Sequence, residues 1–441
     1  MIDRILRKLN RSILWPEFVA GFFVLLIFTV QLFIFGPAGY RNITIVKYIS
    51  FLAISGTFIV AMVLTRIIEK SRGAHRDSAI SITELLVIVY MLLTVISAVV
   101  SEFFPETIIG AHRKEGALTI CIYGLIFLFL KRSVRSGSWF IYLLGIITTF
   151  FSAVCILQFF KINVLWLFPE GLNYYDGGIK YSGEFLGTLG NAGLTATFLC
   201  LSVPTLFVYI SRAKEKARFY LIIPMLMGAA VLFESKIAAS VLGVLVGVFV
   251  SLPFLLSTDK KGRRVLIAVE AIILFIILAA VYYIDFESGT LFELHNVLHG
   301  NIEDSYGSSR IFIWRNALPL IPKAPLFGGG PDTLADRIGV IFETVKDDGT
   351  VKQAAIDAAH NEYLNIAVCQ GIPALIAYLA AVISSLMRFV KSRTKDPVAS
   401  ALAVAVVCYC IQAFFGISIF ISSIYFWIIW ALLEQRLNIQ K

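Results

Sequence analysis

Charge is scarce in this chain. Of 441 residues only 15% are charged, against 58% hydrophobic, and the mean hydropathy is +0.83. Soluble domains carry about a quarter charged and about half apolar residues, so the shortfall excludes an ordinary soluble fold and points to a membrane class. Histidine is scarcer still, with five copies, which narrows any base-catalysed mechanism. The six cysteines (Cys121, Cys155, Cys200, Cys369, Cys408 and Cys410) stand singly, nearly all in apolar runs. They lack metal-ligand or disulfide-framework spacing and read as small buried apolar residues. There is no internal repeat and no low-complexity stretch. Long polar segments are also lacking, with a single exception.

What the chain has in abundance is long apolar runs. Crossing roughly 30 Å of hydrocarbon takes about 20 residues in a helix. Twelve candidates begin near Glu17, Ile45, Leu85, Ala117, Trp139, Ala192, Phe219, Ile237, Val265, Tyr363, Val398 and Phe415. The first is as long as a spanning helix and many others follow, so it does not read as a cleavable signal. The net charge of +9 would suggest nucleic acid in a soluble protein. Its distribution argues otherwise and leaves no nucleic-acid partner. With the N-terminus inside, the inner segments are 1–16, 66–76, 131–138, 211–218, 257–264, 387–397 and 434–441, and they hold 25 of the 38 Lys and Arg residues. Short basic loops such as Ser211-Arg-Ala-Lys-Glu-Lys-Ala-Arg218 mark the cytoplasmic side. The expected fold is an all-α polytopic membrane protein of about twelve transmembrane helices, with both termini cytoplasmic. Nine helices are expected in 1–284, one long and partly helical extracytoplasmic loop in 285–360, and three helices in 361–441.

Secondary transporters carry ionisable groups near mid-membrane. Here Asp, Glu, Lys and Arg are expected at the span ends, with Glu84 and Glu270 near the inner side and Glu362 at an outer mouth. That weakens a transporter or flippase of a lipid-linked sugar without removing it. A scaffold in an envelope-assembly complex is a further non-enzymatic alternative.

Two outer loops remain. One, about 161–190, holds Tyr174-Tyr-Asp-Gly-Gly178. The other, about 285–359, is the long polar exception, and a loop of that length is functional or carries helices of its own. Ser309 to Pro319 and Asp357 to Asn361 read as locally helical, with Pro319, Pro322 and Pro325 breaking the first. Arg310 and Trp314 lie four apart, so on a helix the guanidinium can cover the indole. Leu326-Phe-Gly-Gly-Gly-Pro-Asp332 reads as a flexible turn. His360 is expected at the N-terminus of a spanning helix. There the macrodipole disfavours imidazolium, a neutral ring can take a proton, and an anion can bind; the plainer reading is a capping or interface histidine. Arg310 is either a solvated arginine or a two-pronged clamp on phosphate oxygens. Lys236 is either a snorkelling helix-end lysine or a second cation. Asn191 reads as an N-cap opening the sixth span. Of the other histidines, His75 lies inside, His112 in a short outer turn, and His295 with His299 could share a helical face but lack the glutamate of a zinc-protease pattern.

In order along the chain stand Gly187-Thr-Leu-Gly-Asn191 before a span with Pro204, then Glu234-Ser-Lys236, Ser309-Arg310 with Trp314, Pro325-Leu-Phe-Gly-Gly-Gly330, and His360-Asn-Glu-Tyr-Leu364 followed by Gly371. Over about 185–385 this series resembles the O-antigen ligase and polymerase superfamily of bacterial envelope glycosyltransferases. The resemblance implies a GT-C-like architecture and metal-independent, inverting transfer from an undecaprenyl-diphosphate-linked glycan donor to a glycan or lipid acceptor, with no cofactor. It implies His360 as base or acceptor-orienting residue, and Arg310 and Lys236 as the diphosphate holders. Trp314, Arg315, Asn361, Glu362 and Asn191 become possible acceptor or loop contacts. Lys236 and Ile237 stand where the family has Arg and Gly, and the lysine keeps the charge without the planar fork. The departure favours polymerase over ligase; protein O-oligosaccharyl transfer is a third version of the same chemistry.

Overall fold

The computed structural model describes residues 15–71, 79–169, 174–176, 179–181, 185–345, 351–392 and 396–439. His75, Gly177 and Gly178, singled out above, lie outside them. The architecture is helical, with two short antiparallel hairpins that the all-α expectation omits: Tyr174–Asp176 with Ile179–Tyr181, and Ile341–Val345 with Val351–Ala355. Eight described helices are long and apolar enough to cross a membrane: Gly39–Ser71, Ile82–Val100, Ser138–Phe159, Ala192–Arg212, Lys216–Glu234, Ala238–Leu256, Lys260–Tyr283 and Ile372–Ser392. Trp15–Gln31 and Pro397–Ala413 are apolar but shorter. Ala117–Ser133 runs into Lys131 and Arg132 after 14 residues, and Phe420–Ile439 interrupts its apolar run with Ser422, Ser423, Glu434 and Arg436.

The least lipid-like of these helices is the most central. Phe420 to Leu433 is buried throughout, and its aromatic side chains fill the middle of the bundle. Tyr409 stacks on Phe426 at 4.0 Å between centroids, and Phe127 meets Trp430 at 4.5 Å. Against this centre Pro397–Ala413 presents Ala399, Ala401, Ala403 and Ala405, all essentially without exposure. Gly243 and Gly247 of Ala238–Leu256 face Cys408, so small residues let the two backbones approach closely. Lys260–Tyr283 stands at the periphery with only Val281 buried. Its apolar circumference suits lipid. Glu270 lies ten residues from Lys260 in this helix, about 15 Å along the axis. Lys47 is fully buried and donates to the carbonyls of Gln31 (2.9 Å) and Leu32 (3.0 Å), at the π-helical end of the first helix.

The basic segments meet at one end of the bundle. Arg66 donates to Ser133 (2.9 Å), Arg212 to the Leu255 carbonyl (2.6 Å), and Arg436 forms a two-pronged pair with Asp396, both arms 2.9 Å. Deeper in, Lys131 bridges Glu434 (2.9 Å) and Glu84 (3.4 Å), Arg132 holds Glu84, and Arg388 holds Glu434. Residues 101–116, 185–191, 284–345, 351–362 and 414–419 gather at the opposite end.

Candidate functional site

The long polar segment after Tyr283 folds into helices Gly289–Leu298 and Tyr306–Ala317, a 3-10 turn Leu318–Leu320, the short helix Leu334–Arg337 and the second hairpin. Gly307, Ser308 and Ser309 are left-handed, so the regular helix starts at Arg310. Its end at the 3-10 turn agrees with the proline break. Residues 356–361 are not helical, which corrects the expected turn at Asp357–Asn361. His360 is itself left-handed at φ +47°, a strained state for a residue with a side chain that the surroundings must hold in place.

Those surroundings are specific. The Trp314 indole donates to the Ala359 carbonyl (2.9 Å), and the Ala359 amide donates to the Asn365 side chain (3.2 Å). Asn361, extended at φ −153°, caps the next helix by accepting from the Leu364 amide (3.0 Å). That helix, Glu362–Cys369, has only eight residues; Gly371 at φ +92° breaks it from Ile372–Ser392. His360 therefore precedes a short buried helix rather than opening a spanning one. The break is built by the glycine segment. Gly329 and Gly330 donate to the Val368 and Cys369 carbonyls (3.2 and 2.8 Å), and Ile372 donates to Pro325 (2.9 Å). Carbonyls that the helix end leaves open are closed in this way. A β-carbon at Gly328 would collide with the Cys369 carbonyl group, and one at Gly371 with the Leu326 carbonyl. Residues 326–332, expected as a flexible turn, are thus a close-packed brace.

Arg310 donates from Nε to the Phe415 carbonyl (3.1 Å) and from Nη1 to Gly307 (2.5 Å). Trp314 packs on Phe414 and Phe415 at 5.6 and 6.3 Å. Among the described residues the guanidinium makes no cation–π contact with the indole; both side chains are tied to the Phe414–Phe415 turn instead. The residue that sequence reasoning missed is Arg113, in the turn before Ala117–Ser133. Its amide, with that of His112, donates to Asp332 Oδ2 (2.8 and 3.0 Å), and its Nη2 reaches Asp357 (2.6 Å). Arg113, Asp357, His360, Asn361 and Asn365 line one small cavity. Neither His360 ring nitrogen has a hydrogen-bond partner among the described residues. Burial, followed by the positive charges of Arg113 and Arg310, pushes the imidazole down to about 4.

Below this cavity lies a second, sharing Glu115, Asp332, Asn365 and Ser418 with it. Glu115 accepts from Tyr123 (2.7 Å) and Ser418 (3.3 Å), and burial without a cation raises its carboxyl to about 8. Burial raises Asp332 as well. Glu362, expected at a mouth, is buried and clamped by Tyr378 (2.7 Å) and Tyr409 (2.9 Å). It anchors the short helix and does not face the loop. The remaining candidates lie apart. Arg315 pairs with Asp304 (2.8 Å) on an exposed face. Asn191 is an N-cap, accepting from Gly193 (2.8 Å) and Leu194 (3.2 Å). Lys236 is exposed and left-handed at φ +57° in the turn before Ala238–Leu256. It is at the same end of the bundle, but among the described residues no hydrogen bond or ion pair joins it to Arg310 or His360. His295 and His299 contact each other at 4.2 Å, with His299 stacked on Tyr282. His112 pairs with Asp336 (3.1 Å).

The fold and site define a multi-pass membrane protein whose polar end holds a histidine that has no hydrogen-bond partner among the described residues and shares a small cavity with Arg113. Residues 223–379 match the family model described as O-Antigen ligase, and that match supports membership in the O-antigen ligase/polymerase superfamily. The matched stretch includes Lys236, Arg310, Trp314 and His360; Arg113, Glu115 and Asn191 lie outside it. No curated protein matches the chain.

Proposed function

We propose that the protein transfers or polymerises undecaprenyl-diphosphate-linked glycans on the extracytoplasmic face of the cytoplasmic membrane, by metal-independent, inverting displacement. The observation that carries this reading is the His360 imidazole, without a hydrogen-bond partner among the described residues, in one small cavity with Arg113 and its partner Asp357. The donor brings its own leaving group. An acceptor hydroxyl attacks the anomeric carbon, the bond from that carbon to the diphosphate oxygen breaks, and its electron pair stays on the diphosphate. The hydroxyl proton goes to His360. Arg310 and Arg113 stabilise the charge gathering on the leaving group. Arg113 takes the inner place assigned in sequence to Lys236, which stands exposed where the donor's charge would first arrive. The basic end then faces the cytoplasm together with both termini, and all twelve apolar stretches cross the membrane. Trp314, Asn361 and Asn365 position His360 without touching substrate.

The test is made in cells that depend on this chain for a surface glycan. His360→Ala and Arg310→Ala are expected to abolish the polymer at normal protein levels. Polymer retained in both, with lipid-linked units still reaching the outer face, contradicts the enzyme. Loss of that outer supply identifies a flippase, and glycan appearing on protein identifies the protein-acceptor version.

A further inference from the structure

At the basic end, away from the polar site, a cavity of about 1330 Å³ opens between Ile82–Val100 and Ala117–Ser133. That exceeds the roughly 300–1,000 Å³ of small-molecule sites. Its wall is apolar: Leu125 and Leu128, at helical spacing with Arg132, face Ile88. They form a strip from the rim inward of about 10 Å. Its rim is cationic, with Arg66, Arg132 and Arg388 at 29%, 33% and 18% side-chain exposure. The carboxylates that oppose these cations are Glu69 beside Arg66, and Glu84 and Glu434, which are shut behind the rim at 3% and 0% exposure. Fully buried Lys131 shares the last two. The negative charge is therefore mostly turned inward while the Arg66 and Arg132 side chains stay partly exposed at the opening and Arg388 is tied to Glu434 and Asn438. Among the described residues Arg132 spends only Nε on Glu84 (2.5 Å), and Arg66 is tied to Ser133 (2.9 Å) and Glu69 (3.2 Å).

An apolar strip that leads to a cluster of guanidinium groups at the basic end of the bundle has the chemistry of a site for a lipid with a phosphate head. We infer that this cavity holds an anionic phospholipid of the leaflet on the basic side, its phosphate at Arg66, Arg132 and Arg388 and one acyl chain along Leu125 and Leu128. The site is independent of the transfer reaction.

The full chain, purified in neutral detergent, is titrated with phosphatidylglycerol, phosphatidylcholine or inorganic phosphate. Thermal unfolding and native mass spectrometry are the readouts. Phosphatidylglycerol is expected to bind and stabilise, phosphatidylcholine to bind more weakly, and phosphate alone to do neither. Arg66→Gln is expected to weaken phosphatidylglycerol binding about fivefold, the equivalent of about 1 kcal/mol per basic side chain. Leu128→Trp, which fills the strip and leaves every charge in place, is expected to remove it while the lipid-free chain melts unchanged. Equal binding of the two lipids, or a preference surviving in both variants, overturns the inference. So does phosphate competing as well as the lipid, since that identifies a free-phosphate site.

Discussion

In the proposed mechanism His360 sets the acid limb of the reaction, and its burial displaces that limb before the donor binds. Displacement of the imidazole from its ordinary value of 6.5 to about 4 corresponds to roughly 3 kcal/mol in favour of the neutral ring. Burial is the larger cause, and the charges of Arg113 and Arg310 add to it. A diphosphate seated on the two arginines would cancel the second cause and leave the first, so the imidazole of the complex is expected to lie higher than that of the free protein. The pH dependence of kcat/KM reports the free enzyme, and that of kcat reports the complex. With purified protein and saturating acceptor, kcat/KM is expected to hold its plateau down to about pH 4, whereas kcat falls at a higher pH. Arg310→Gln removes one cation and is expected to raise the kcat/KM limb. The same shift acts on folding: as pH falls from 6.5 to about 4 the unfolded chain takes up a proton that the folded chain refuses. The contribution of the neutral ring, complete above 6.5, is lost across that window. Coincident limbs near 6.5 in both profiles, unmoved by Arg310→Gln, would refute the placement of His360 between two cations.

Other expectations follow from particular contacts. Arg113→Gln should lower kcat/KM by about 10²-fold, the order reported for removing one charge-stabilising donor, and Lys236→Gln by under about tenfold; the reverse order would return the inner place to Lys236. Trp314→Phe keeps the packing on Phe414 but drops the bond to the Ala359 carbonyl. It should lower kcat with a stability change of about 1 kcal/mol in unfolding assays, and an unchanged kcat argues against a positioning role. Gly371→Ala places a β-carbon against the Leu326 carbonyl at φ +92°. It should cost about 1–3 kcal/mol in thermal unfolding, and a wild-type melting curve would contradict the brace described for residues 326–332.

Much of this was legible in sequence because it depends on local composition. Apolar length located the long apolar helices, the short basic loops marked the shared basic end, and the Asn191 cap could be read from its residue type, whereas the cap considered for His360 is made by Asn361. What escaped depends on tertiary contacts. Phe420–Ile439 is the central helix because its aromatic side chains meet those of seven other helices, whereas hydropathy alone scores it as a weaker span. Gly371 looked like a motif residue and is the point where the Pro325–Gly330 backbone enters the tenth stretch. Arg113 is remote in sequence from His360 and sits in a short turn held by Asp332, a pairing no spacing reveals. Glu362 follows His360 by two residues, yet its helix turns it inward onto Tyr378 and Tyr409, so sequence adjacency misplaced it.

The central claim is tested most directly by transfer with the purified full chain, supplied with an undecaprenyl-diphosphate-linked glycan and acceptor, with and without chelator. The account predicts lengthened or transferred glycan in both conditions, about 10²–10⁴-fold slower with His360→Ala. Transfer that disappears with chelator, or that proceeds at the wild-type rate in the folded His360→Ala protein, would contradict it.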